Sequence, residues 1–434
     1  MLMRRARCNF VAATVLDTII HMPAPTALTA LLAFLLVYVP RASAQQQESP
    51  PPITFNKNFE GASLGKIEPL GPATFRCAVE GQYDQRGHNR QASWFYFRLD
   101  HVRGRDVTIT LHDFVGEYND KPGAVPMGPD IVPVFSNDGQ SWQHLPDTAT
   151  AWDAEKKELT LTFKPEADSI WIAHVPPYTP RDLQRLLAEV ERSPSARIEI
   201  IGKTALGRDM QMVTVTDPAV SDAQKKVVWL QARQHAWEAG TSYVAEGALR
   251  FITSDDPKAA ELRRRVIFRF TPMVDPDGCA TGKVRFNANG YDVNRHWSEV
   301  DLRGKEFLRL MPEIWYTKKA IVTSGRIDLM LNLHNTETTE FLDTQADDPN
   351  TLKLMQRFYD LLVERSSFDP SRKLTPSKAK IDDTNTLFAE HHVPVMLMEQ
   401  RISTCKKLGR RPTVEDRLKF GRELISVMGD VVLE

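Results

Sequence analysis

Lys225-Lys-Val-Val-Trp-Leu-Gln-Ala232-Arg-Gln-His235-Ala-Trp-Glu238 is the stretch on which the fold turns. Lys225 to Ala232 is a short run of apolar character, the signature of a buried strand. His235 and Glu238 follow directly on it. A second run, Ile327 to Leu333 (Ile-Asp-Leu-Met-Leu-Asn-Leu), ends against His334. Both imidazoles and the carboxylate are therefore expected just past the carboxyl ends of two strands, where open α/β sheets hold their ligands. Two ring nitrogens and one carboxylate make a three-ligand set that can hold a catalytic zinc and leave its fourth position to water. A lone His-x-x-Glu among 11 histidines carries little weight, and its placement at strand ends is what gives it some. The set is assembled from separate elements, unlike the helical His-Glu-x-x-His of other zinc proteases.

Working outward, strand-like segments at Ile198–Ile201, Met212–Thr216, Val266–Phe270 and Val393–Met398 alternate with helical ones. That alternation predicts an α/β domain, a sheet layered by helices. Its start is legible at Pro176-Pro-Tyr-Thr-Pro180. Thr179 can cap a helix with Pro180 at its first position and Asp182 three residues after the cap, and Leu183, Leu186, Leu187 and Val190 then share one face. Residues 413–428 are expected to form a closing helix, and the chain shows no internal repeat. Upstream, from Ile53 to His174, the signals are short and β-like: Ser93–Leu99, Val107–Leu111, Ile131–Phe135, Leu159–Phe163 and Ser169–Ala173, with Ser136-Asn-Asp-Gly139 as a turn. Several such strands without helices between them predict a β-sandwich. Its aromatic residues read as core rather than as a ligand platform.

Between the two histidines lie Asp275-Pro-Asp-Gly278, Arg285, and Gly290-Tyr-Asp-Val-Asn294-Arg295-His-Trp297. Pro276 and Gly278 punctuate the end of a strand, so these polar groups are expected on loops at the same sheet edge. In order along the chain, Ala-Arg-Gln-His-Ala-Trp-Glu, Asp-Pro-Asp-Gly with Gly282-Lys-Val-Arg285, Gly-Tyr-Asp-Val-Asn-Arg and the strand ending in His334 resemble a zinc carboxypeptidase of the funnelin type. The resemblance is closest to the cytosolic carboxypeptidase branch, whose members trim acidic residues from protein C-termini. Asn58–Gly65, Trp94–Phe97 and His174-Val-Pro-Pro-Tyr-Thr resemble the extra domain that this branch carries ahead of its catalytic domain. Over roughly residues 53–405, the resemblance implies His235, Glu238 and His334 as ligands of one zinc, Glu399 as the general base, and Arg285 as the group polarising the scissile carbonyl. It also implies that Asn294 and Arg295 grip the substrate's terminal carboxylate. Each role suits its residue: an arginine fork matches a planar carboxylate, and a carboxylate beside an activated water can take its proton.

The chain departs from the family in three places. The usual substrate-covering tyrosine has no counterpart, since the only tyrosine after His334 is Tyr359, which falls at core spacing in the helical stretch 351–364. Asn335-Thr-Glu337-Thr-Thr-Glu340 is a poor match to the usual sequence after the second histidine. Asp275 stands where many relatives have asparagine.

The amino end carries an apolar run, Ala27 to Val39, followed by Ala42-Ser-Ala44, a small-x-small cleavage pattern. The run is too short for a membrane span and has the form of a secretory signal, with translation starting at Met1 or Met22 and an uncleaved anchor as the alternative. The expected organisation is a signal at 1–44, a flexible leader at 45–52, a β-sandwich at 53–175 and the catalytic domain at 176–434. Without residues 1–44 the 55 basic and 56 acidic residues become 51 and 55, a net charge near −4, with no basic surplus for nucleic acid. Three cysteines remain, Cys77, Cys279 and Cys405, enough for one disulfide at most. The expected activity is zinc-dependent removal of C-terminal residues from peptides or proteins in a secreted or periplasmic location. The alternatives are a periplasmic peptidoglycan stem-peptide carboxypeptidase or amidase, and a metal-free relative with a binding role.

Overall fold

The computed structural model describes residues 50–121, 125–346, 348–376 and 384–434. The expected signal and the first part of the leader lie outside them. Among the described residues, Thr54 to Ala173 is all β. One five-stranded sheet runs in the order Thr54–Asn56, Tyr96–Asp100, Ser169–Ala173, Val134–Ser136, Gln143–His144. A second runs Thr150–Asp153, Glu158–Phe163, Val107–His112, Thr74–Ala78, Ile67–Gly71. The alternation of Val107, Ile109 and Leu111 inward against Thr108 and Thr110 outward is the period-two pattern that buries one face of a strand. The pair Thr74–Ala78 and Val107–His112 is parallel, which period-two patterning cannot reveal. A small third sheet, Gln82–Tyr83, Arg90–Ala92 and Val115–Gly116, stands beside them.

From Pro180 onward the chain builds an α/β layer. The helix Pro180–Val190 starts as its sequence dictates, with Thr179 and Asp182 forming a capping box and Pro180 at the first turn. The eight-stranded sheet runs Ala196–Lys203, Asp209–Val215, Val266–Thr271, Lys226–Gln231, Leu329–Thr336, Val395–Arg401, Phe341–Thr344, Thr375–Pro376. Its four central strands are parallel. Both neighbours of its amino-side edge pair antiparallel, so the sheet is mixed. The central strands are buried on both faces and read as continuous apolar runs, as parallel strands covered by helices do.

The helix Ala239–Ile252 lies against the closing helix Val414–Val431 at very short range. A Cβ on Gly247 would meet the Leu418 carbonyl oxygen at 2.0 Å, and one on Gly421 would meet that of Val244 at 2.0 Å. Glycine at both crossing points lets the two backbones touch, and this fixes the first turn of the helix that begins after Glu238.

Three local expectations are corrected. His334 is not beyond its strand but inside it, because pairing with Val395–Arg401 carries the ladder on to Thr336. Asp-Pro-Asp-Gly opens a short helix, Pro276–Thr281, since Asp275 caps it through the Gly278 N–H at 2.9 Å. Cys77, Cys279 and Cys405 are all free and buried, with no disulfide.

Candidate metal centre and the cleft around it

The loop between Gln231 and the helix at Ala239 turns on Arg233, whose φ of 62° lies in the left-handed region that non-glycine residues seldom occupy. Its buried guanidinium holds the turn from inside, donating to the Ala236 carbonyl at 2.8 Å and to Ser242 Oγ at 3.1 Å. His235 and Glu238 are thereby brought to one spot. Glu238 is the residue preceding the helix, yet its side chain caps nothing and is left for other partners.

Those partners are the two histidines. Glu238 Oε1 is 2.7 Å from His235 Nδ1, and Oε2 is 2.9 Å from His334 Nδ1 without hydrogen-bond alignment. All three side chains are buried, and their ligand atoms lie within 4.8 Å of one another. The far side of each ring explains what faces inward. His235 Nε2 meets the Asp292 carboxylate at 3.1 Å. Carboxylates thus flank both nitrogens of the His235 ring, and a metal held at Nδ1 would leave the Nε2 proton to Asp292. His334 Nε2 lies 3.0 Å from Gln234 Oε1, 3.0 Å from Asn332 Nδ2 and 3.2 Å from Asn294 Nδ2, a buried amide cluster that fixes the ring from behind. Two imidazole nitrogens and a carboxylate converge on one buried spot. That donor set fits a divalent cation of zinc type, with Asp292 behind His235 and the amides of Gln234, Asn294 and Asn332 behind His334. Burial pushes the Glu238 carboxyl up, but His235 and His334 outweigh it and hold it at about 2. Asp292 is likewise held well below the usual carboxylate range: burial opposes ionisation, and Arg285 and His235 overcome it.

Glu399 reaches the same place by register. It sits opposite His334 on the adjacent parallel strand, and directly paired residues point to the same face of a sheet. Its Oε2 is buried without a partner. Burial, then Glu238 and Glu337, push its carboxyl well above the usual value, against the pull of Arg285 and Arg295. Arg285 donates to Asp292 at 2.5 Å. Arg295 donates to the Asn294 carbonyl at 2.7 Å and lines a cavity of about 280 Å³ with Phe286, Asp292, His296 and Glu299, and with Asp84, Gln85, Arg86, Asn89, Tyr118 and Asn119 of the β-domain.

The Asn294 amide is buried, with Nδ2 3.2 Å from His334 Nε2 and Oδ1 accepting from the Thr384 N–H at 3.2 Å. These contacts hold it beside His334. Tyr359 is half-buried on its helix, donating to the Arg372 carbonyl at 3.3 Å. Two further groups belong to the site. Asp292 was present in the Gly-Tyr-Asp-Val-Asn-Arg stretch but carried no assigned role, and Glu337 lies near enough to Glu238 and Arg285 for their charges to act on it.

Residues 183–339 match the zinc carboxypeptidase family, and residues 55–175 match the cytosolic carboxypeptidase N-terminal domain. The chain thus carries a zinc carboxypeptidase domain behind a cytosolic carboxypeptidase N-terminal domain. Among curated proteins, human cytosolic carboxypeptidase 2 is 34% identical over 300 residues, which cover 62% of this chain and 31% of that one. Mouse cytosolic carboxypeptidase 3 is 25% identical over 344 residues, covering 72% and 33%. The chain thus spans about a third of the length of these relatives. A metallo-carboxypeptidase from Burkholderia cenocepacia shares the fold over nearly its whole length, with a TM-score of 0.76 at 24% identity, covering 88% of this chain and 99% of that one. One from Pseudomonas aeruginosa does so at 0.73 and 20%, covering 87% and 100%. The chain therefore shares the two-domain fold of these solved structures, and among its described residues no helix is long and apolar enough to cross a membrane.

Proposed function

We propose that this protein is a zinc metallocarboxypeptidase that hydrolyses the last peptide bond of peptides or proteins. The observation that carries the reading is the convergence of three metal-ligating side chains, His235, Glu238 and His334, beside an unpartnered carboxylate oxygen of Glu399. One zinc held by those three residues would supply a Lewis acid that polarises the scissile carbonyl and acidifies a water. Glu399, whose Oε2 is unpartnered, would take a proton from the activated water and return it to the leaving amine. Arg285, aligned by Asp292, donates toward the carbonyl oxygen as negative charge develops there. Arg295, on the wall of the adjoining cavity, pairs with the terminal carboxylate, which makes the cleavage exopeptidic.

Acidic terminal residues are the proposed preference. The resemblance to the cytosolic carboxypeptidase branch supports it, and Arg86 stands on the wall of the same cavity with its partner Asp120 open to solvent. The reaction is proposed to occur in the periplasm or outside the cell, supported by the apolar run at 27–39 and the Ala42-Ser-Ala44 pattern. A mature chain beginning at Gln45 in a cell fraction would bear this out, and an intact Met1 or Met22 terminus would refute it.

The activity itself is tested with Glu399→Gln and peptides ending in Glu, Leu or Lys, read by mass spectrometry. Wild type should release the last residue, fastest for Glu. The variant should keep zinc and thermal midpoint while slowing by about a hundredfold or more, the lower end for loss of a general base. Turnover within a few-fold of wild type would assign the base to another residue.

A further inference from the structure

The loop that carries Arg285 is held from the other domain. Gln82, in the small sheet of the β-domain, presents its amide to three successive backbone groups of the catalytic domain. Its Oε1 accepts from the N–H of Val284 at 2.7 Å, of Arg285 at 2.6 Å and of Phe286 at 3.0 Å. Its Nε2 donates to the Phe286 carbonyl at 2.8 Å. One side chain therefore satisfies four backbone groups around the Cα of Arg285. Three successive N–H groups converge on a single point only when the backbone between them is curved into a concave nest. The curvature sets the direction in which Arg285 leaves the chain.

Two neighbouring contacts reinforce the hold. The Gln85 N–H donates to the Gly290 carbonyl at 3.0 Å. Gly290 has φ of 86°, and a Cβ there would meet the Gln85 nitrogen at 2.6 Å, so only glycine lets the two backbones come so near. Tyr118, also from the β-domain, lies with its ring centre 5.6 Å from the Arg285 guanidinium carbon, within cation–π range. Asp292 takes Arg285 Nε from the catalytic side. The guanidinium is thus bounded by Asp292 on one side and by the β-domain on the other, and the cavity beside Arg295 has walls from both domains.

We propose that Gln82 is a positioning residue for Arg285, so that the β-domain is a working part of the carboxypeptidase site and not an appendage to it. The inference rests on the carboxypeptidase reading. Arg285 interacts with the carbonyl most strongly in the transition state, so a loss of its aim lowers kcat while leaving the binding of substrate through Arg295 nearly unchanged.

The test is a double-mutant cycle of Gln82→Ala and Arg285→Ala, with kcat and KM measured on one free-acid peptide, together with zinc content and thermal midpoint. Arg285→Ala should lower kcat about a hundredfold or more. Gln82→Ala should lower it roughly 10- to 100-fold, the range for outer-shell partners, with KM changed less than about threefold and zinc retained. Added to Arg285→Ala, Gln82→Ala should cost no more than about a further threefold, because its effect passes through the missing guanidinium. Should Gln82→Ala not fold, Gln82→Leu replaces it in the cycle, since it fills much of the same space and offers the 284–286 backbone neither acceptor nor donor. Wild-type kcat in the Gln82 variant, or effects that multiply in the double variant, would overturn the proposal while leaving the carboxypeptidase reading intact. A wild-type protein that releases no C-terminal residue would remove both.

Discussion

Asp292→Asn is the substitution that best separates holding the metal from using it. The carboxylate serves three partners: Oδ1 lies 3.1 Å from His235 Nε2 and accepts from the Asn294 N–H at 2.9 Å, and Oδ2 accepts from Arg285 Nε at 2.5 Å. An amide of the same shape offers one acceptor oxygen in place of two and no charge. Whichever side keeps that oxygen, the other faces an N–H₂. If His235 loses it, its tautomer is no longer fixed and Nδ1 ceases to be a dependable ligand. Outer-shell partners of this kind are worth about 10- to 100-fold in metal affinity, or about 1.4 to 2.7 kcal/mol. Arg285 is only 14% exposed at its side chain, so loss of its ionic partner also costs stability. The full penalty for breaking a buried pair is about 3 to 5 kcal/mol. Glu238 and Glu399 still act on Arg285, so the expected loss is below that range. Zinc affinity is measured by competition with a chromophoric chelator, stability by thermal midpoint, and kcat at saturating zinc. Weaker zinc binding together with a kcat deficit that persists at saturation is the expected pair of results. Zinc affinity and kcat both within twofold of wild type in a folded variant would refute the reasoning, since the amide would then have deprived neither His235 nor Arg285 of a needed acceptor.

Arg295→Ala should slow release from a free-acid peptide by about one to two orders of magnitude, the value of a lost charge-assisted contact, and should abolish the preference for free-acid over amidated peptides; equal cleavage of both forms by wild type would contradict the exopeptidase reading. Glu340, buried near Arg401, Arg417 and Asp369, has its carboxyl pushed up by burial to about 7 from the ordinary 4.5, and the two arginines only partly offset this. A carboxyl that binds its proton more tightly when folded contributes stability that is fully present below pH 4.5 and is lost as pH rises through 7. The loss is at most about 3 kcal/mol. Thermal midpoints at pH 5 and pH 8 should therefore fall with rising pH, and less steeply in Glu340→Gln; an unchanged pH dependence in the variant would clear Glu340 of the effect.

Much of this was legible in the sequence, because apolar runs of strand length and a capping box at Thr179 are local signals with local causes. The identity of the metal-facing set followed from two histidines and a glutamate at strand ends, and register then brings Glu399 beside His334. What the sequence could not yield was direction. Asn294 and Asp292 are two residues apart in one motif, and nothing in their spacing says that the amide turns under His334 while the carboxylate bridges His235 and Arg285. Gln82 was less visible still. It is a polar residue in a two-residue strand with no periodic pattern, and its four partners lie in the other domain. A long-range side-chain-to-backbone contact leaves no trace in composition. Burial likewise hid the short helix at Pro276, whose cap at Asp275 reads in sequence as a turn.

The boundary near residue 175 is clear in the chain but does not separate the two domains energetically. The His174 ring, buried and with neither nitrogen partnered, stacks on Trp237 at 5.6 Å between centroids, and Trp237 lies between the ligands His235 and Glu238. Burial holds that imidazole neutral, with its pKa at about 3, so it packs as an aromatic face and not as an ion. Tyr243, on the helix that begins after Glu238, donates to the Pro177 carbonyl at 2.7 Å. The Gly61 N–H donates to the Ala280 carbonyl at 2.8 Å, tying the first β-domain loop to the short helix at 276–281. The loops around 235–238, 276–281 and 284–286 would be exposed and short of hydrogen-bond partners in a catalytic domain standing alone. They lie along the sheet edge that carries the metal-facing residues. A zinc site demands ligands held to within a fraction of an ångström, and loops reach that order only when a second surface packs against them. The β-sandwich supplies that surface, which is why a domain without metal-facing residues of its own is built against the edge where the chemistry is proposed to occur.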